Sequence, residues 1–97
     1  MSRREYDLKI LVNGRAVIKV VIDPHYEVKH ADSVDDSTIL ALVAQLDGKD
    51  FQPDDVDGQF LYFATDLMEL EDKKYKLIWL LENETLYIGV VNAYRRK

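Results

Sequence analysis

The chain has no cysteine, so a disulfide framework, a thiolate metal site and a cysteine nucleophile are all excluded. It has only two prolines and four glycines in 97 residues, too few for a collagen-like or low-complexity segment. No run of about 18 apolar residues occurs, so no membrane-spanning helix is expected. The N-terminus Met1-Ser2-Arg3-Arg4 starts basic, but the alternating segment after it lacks the apolar core of a signal peptide. A soluble cytoplasmic protein without a cofactor is therefore expected. Bases are scarce in the middle of the chain. Residues 32–72 hold twelve acids against the single base Lys49, a balance of −11, while the remaining residues balance at +6. The molecule is thus dipolar, with cations drawn from both termini. The net charge of −5 argues against general nucleic-acid binding, which rests on phosphate neutralisation.

What is present is the apolar content of a folded globule, 47% hydrophobic residues, in a length suited to one domain spanning 1–97. Tyr6, Leu8, Ile10 and Val12 alternate with Asp7 and Lys9, and a second run covers Ala16 to Ile22. Asn13-Gly14 between them predicts a type I′ hairpin pairing Val12 with Arg15, Ile10 with Val17 and Leu8 with Lys19. Both faces of this hairpin carry apolar groups, which predicts that one is covered by a symmetric partner and suggests a homodimer. Ile39, Leu42, Val43 and Leu46 fall on one helical face, so a helix is predicted over about 34–47, with Ser33 and Asp36 at its start and Gly48 at its end. Residues 49–58 read as a loop and Gln59 to Thr65 as an aromatic-rich strand. Met68 to Lys73 reads as a charged connection, and Tyr75 to Lys97 as a hairpin turning at Asn83-Glu84. The fold expected is α+β: a single twisted antiparallel sheet of about five strands, β-β-α-β-β-β, with one main helix packed on one face.

Candidate chemistry is sparse. Asp54-Asp55-Val56-Asp57-Gly58 has a superficial likeness to a calcium loop, but Pro53 and Ala64 stand where ligands are required. His25 and His30, five residues apart, do not have the spacing of a helical metal pair, and no metal site is expected. His30 lies just ahead of the helix, where it can project over the sheet edge. Tyr94 precedes Arg95-Arg96 at a strand end, and a phenol beside a guanidinium can stack a base and clamp its phosphate.

The segment Glu27-Val28-Lys29-His30-Ala31 before an amphipathic helix, followed by a final hairpin ending Asn92-Ala93-Tyr94-Arg95-Arg96, resembles the small RelE/ParE-type toxins and the wider group of compact ribonuclease-fold domains. The likeness spans about residues 25–96. It implies metal-independent RNA cleavage, with RNA as substrate and an antitoxin as partner. On that resemblance His30 is the general acid or base, Arg95 the phosphate clamp and Tyr94 a stacking or proton-transfer group, with Tyr26 beside them. The alternatives are a non-catalytic accessory or protein-interaction domain, which could be homodimeric, or an inactive relative with the toxin fold.

Overall fold

The computed structural model describes residues 3–23 and 34–96. The strands are β1 (Arg4–Val12), β2 (Arg15–Ile22), β3 (Asp55–Asp57), β4 (Phe60–Leu70), β5 (Lys73–Glu82) and β6 (Tyr87–Arg96), with one helix, α1 (Asp36–Ala44), between β2 and β3. They form one six-stranded sheet in the order β1-β2-β6-β5-β4-β3. This corrects the expected five-stranded antiparallel sheet with one main helix packed on a face. Strands dominate the molecule, α1 is a short nine-residue element, and the sheet is mixed. The last strand enters the middle of the sheet beside β2, with Lys19 to Ile22 running parallel to Tyr87 to Val90. Turn signals specify which consecutive strands pair; they carry no information about which strand edge a distant segment closes.

Asn13 and Gly14 both have positive φ, as a type I′ turn requires. Val12 faces Arg15 and Ile10 faces Val17 as expected, but the register then shifts, and Lys19 faces Asp7 instead of Leu8. The extra β1 residue is a bulge. It leaves Val17, Val20 and Ile22 buried along β2, a step of three before the ordinary step of two. The inner face of this hairpin is thus filled by the protein's own core, and Leu11 and Ile18 are left exposed away from it. The Asn13 side chain does more than permit the turn. Its amide donates to the carbonyl of Phe51 at 3.1 Å and its oxygen accepts from the Phe51 N–H at 2.5 Å, which pins the loop after α1 to the hairpin.

Asp35, not Ser33, caps the helix, its carboxylate accepting from the Thr38 N–H at 2.9 Å; Ser33 lies outside the described residues. Its backbone hydrogen bonds and the Ser37 hydroxyl hold the Asp35 carboxyl below its ordinary value. After Ala44 the chain tightens into i to i−3 bonds through Lys49, so the helix ends earlier than its apolar stripe suggests. Gly48 then donates to the carbonyl of Leu11 at 2.6 Å. Ile39, Leu42, Val43 and Leu46 are fully buried in one core with Leu77, Trp79, Ile88 and Val90.

A guanidinium–carboxylate fork ties α1 to β1. Arg4 donates through Nε to Asp36 Oδ2 at 2.6 Å and through a second nitrogen to Oδ1 at 2.9 Å, and the Tyr6 hydroxyl also donates to Asp36. The Arg4 contact, ahead of the Tyr6 bond, holds the Asp36 carboxyl below its ordinary value. A depressed folded value means a stabilisation that is complete above the unfolded carboxylate pKa and disappears as pH falls through the folded one. Asp36→Asn is therefore expected to lose about 1–2 kcal/mol at pH 7. The difference should close at acid pH, once the pH has fallen through the depressed folded value and the parent carboxyl is itself neutral. Urea unfolding of both proteins at the two pH values checks this; an unchanged gap at low pH would rule out the charge as its cause.

Candidate functional site

The sheet has two unlike faces. One is sealed by α1 and the Phe51 loop. Across the other, no described element lies over the centre of β4, β5 and β6, and the strand registers bring Phe60, Tyr62, Leu80, Tyr87 and Gly89 together on it. These residues line a groove of about 330 Å³, with Arg3, Val21 and Asp23 toward β2 and Val91 beside Gly89. Its depth comes from a close approach. A Cβ on Gly89 would stand 2.9 Å from Cγ and Cδ1 of Leu80, so Leu80 lies flat across β6 only because no side chain is there. Gly89→Ala should lift Leu80 and cost about 1–3 kcal/mol by overpacking. Adding Leu80→Ala should recover part of that loss, giving a non-additive double-mutant cycle in thermal unfolding. Additive losses would show that the two residues do not meet.

The Tyr87 hydroxyl donates to Glu82 Oε1 at 2.8 Å at one end of the groove. Burial, and then the Glu82 carboxylate, push the Tyr87 phenol up to about 12. It is a hydrogen-bond donor near neutrality and no proton acceptor. The Phe60 and Tyr62 rings, two residues apart on one strand, stand 6.3 Å apart at 39° and form the wall beside β3. Acids flank this face on both sides. Asp55 faces Tyr62 and Asp57 faces Phe60 across β3, while Glu5 and Asp7 occupy β1, with Glu5 held 3.2 Å from Lys19.

The C-terminal cations do not converge. Tyr94 faces Lys76 and Arg96 faces Lys74, on the same face as the groove, whereas Arg95 faces Tyr75 on the core side of the sheet. Strand alternation thus separates Tyr94 from Arg95. Arg96 is engaged by Asp66 at 3.2 Å, and Lys74 by Glu69 at 2.9 Å. His30, Tyr26 and His25 lie outside the described residues. Among the described residues no group of three His, Asp or Glu side chains is placed to hold a metal ion. Two acids of the calcium-like loop bond backbone: Asp54 accepts from the Ala64 N–H at 2.7 Å and Asp55 from the Val56 N–H at 2.9 Å. Nor is any helix among them long and apolar enough to cross a membrane.

The groove was not singled out in the sequence. Its signals were there in Phe60-Leu61-Tyr62-Phe63, apolar on both faces of one strand, and in a glycine inside the strand Tyr87 to Val91, which often marks close backbone approach. No family model, no curated protein and no solved structure matches this chain.

Proposed function

We propose that this protein is a non-catalytic interaction module. The docking surface is the open face of its sheet, and the partner is a protein segment with apolar residues flanked by cations. The observation that carries this reading is the continuous aromatic and aliphatic surface across β4, β5 and β6 that no described element covers. Contiguous apolar surface of this kind, rimmed by polar groups, is characteristic of interaction sites. The charge preference comes from the sides of the groove, where Asp55 and Asp57 on β3 and Glu5 and Asp7 on β1 border it, Glu5 being paired with Lys19. Lys74, Lys76 and Arg96 lie toward the other end of the same face, on a chain of net charge −5. Such a field steers a basic partner and repels a second acidic copy of the chain.

The ribonuclease reading draws less support from the described residues. Tyr94 and Arg95 lie on opposite faces, and Arg96 is engaged by Asp66.

Selection of displayed random peptides on the purified protein tests the interaction reading. Peptides with apolar residues flanked by Lys or Arg should be enriched, and Val91→Glu, at an exposed position beside the groove, should weaken them by about tenfold or more. No enrichment, or equal binding to the variant, would overturn it. Cleavage of RNA in EDTA, reduced about two to four orders of magnitude in His30→Ala, would put the ribonuclease reading in its place.

A further inference from the structure

We propose that the groove is a receptor for one cationic side chain, an arginine or lysine of the partner segment, received against the Phe60, Tyr62 and Tyr87 rings with Glu82 as its counter-charge. This deepens the interaction reading and rests on it. The walls are three aromatic rings, whose negative faces attract a cation within about 6 Å of the ring centroid. The groove floor, where Leu80 crosses Gly89, is apolar and suits the methylene stem of such a side chain. Glu82 closes the end. One of its oxygens accepts from the Tyr87 hydroxyl at 2.8 Å, which fixes the carboxylate in place, and a carboxylate has acceptor capacity for several donors.

The charged residues lining the groove are Glu82, Asp23 and Arg3, two carboxylates against one guanidinium. Arg3 is exposed and close enough to Tyr87 to act on its phenol electrostatically. Its charge opposes an incoming cation and would favour an anion. Removing it therefore separates the two ligand classes by sign.

The test uses the whole chain and N-acetyl-arginine-N′-methylamide as probe, followed by NMR through the ring signals of Tyr62 and Tyr87 and the amides of Leu80 and Gly89. Saturable shifts in the millimolar range are expected, absent with the norleucine analogue, which has the stem without the charge. Glu82→Gln keeps an acceptor for Tyr87 and should weaken the probe by about tenfold or more. Tyr62→Leu should weaken it severalfold, and Arg3→Ala should tighten it. The proposal is overturned if the norleucine analogue binds equally. It is overturned as well if Glu82→Gln binds like the parent, or if N-acetyl-glutamate-N′-methylamide binds better than the arginine probe and loses affinity in Arg3→Ala. Failure here is distinguishable from failure of the interaction reading. Selected peptides lost in Val91→Glu but indifferent to Glu82→Gln would leave the docking face standing without a cation receptor.

Discussion

Replacing Trp79 with alanine is expected to remove about 3–5 kcal/mol of unfolding free energy, a large part of what a domain of this size has. The indole is fully buried at the centre of β5. The Phe63 ring stacks on it from the neighbouring strand, with centroids 4.0 Å apart and planes within 10°. Phe51 meets its edge at 5.5 Å and 85°. The tryptophan therefore joins two strands to the loop that Asn13 holds in place, and deleting it undoes contacts in three elements at once. Its one polar atom is satisfied, Nε1 donating to the Thr65 hydroxyl at 2.9 Å. Thr65→Val preserves shape but strands that donor, and should cost about 1–2 kcal/mol. Because Trp79 is the only tryptophan, unfolding of both variants should be followed in urea by far-ultraviolet circular dichroism. A loss under about 1 kcal/mol in Trp79→Ala would mean that the rings do not form the centre of the core.

Sequence and structure agree where a signal is local and chemically forced. Asn13-Gly14 supplies two positive φ angles, and the stripe Ile39, Leu42, Val43 and Leu46 is buried as a unit. They part where the signal is weak or distant. The turn between β4 and β5 is Glu71-Asp72, with φ of 51° and 65°, the geometry of a hairpin turn without the glycine that usually betrays it. Met68 to Leu70 therefore reads as a charged connection in the sequence, although it is the end of a strand. A bulge before it, with Leu67 at φ 55°, breaks the alternation that would have revealed the strand. The three-residue β3 is too short and too acidic to register as a strand.

The groove was illegible for a related reason. It depends on Leu80 crossing Gly89 and on the Tyr87–Glu82 bond. Both are cross-strand side-chain contacts on the turn side of a bulge that falls between Ile78 and Trp79. Counting back from the turn alone gives the right partners near Glu82 and the wrong ones toward the C-terminus. Beyond that bulge, which face Tyr94 and Arg95 take cannot be read from alternation started at the turn. A cation cluster contiguous in sequence thus becomes two groups on two faces.

Leu42→Ala should cost about 2–5 kcal/mol. A nine-residue helix is too short to persist in water by itself, so α1 is held by packing and by the Arg4–Asp36 fork. Leu42 is fully buried between Ile39 and Leu46 on the face turned to the sheet. Truncating it leaves a cavity over the core that the short helix cannot close by shifting, because Asp36 fixes its start to β1 and the Gly48–Leu11 bond fixes the turn that follows it. Hydrogen exchange adds a second readout. With both ends anchored, helix amides should lose protection together with those of β5, in step with the global loss. Loss confined to the helix would mean that α1 opens as a separate unit, and a change below about 0.5 kcal/mol would mean that Leu42 does not face the core.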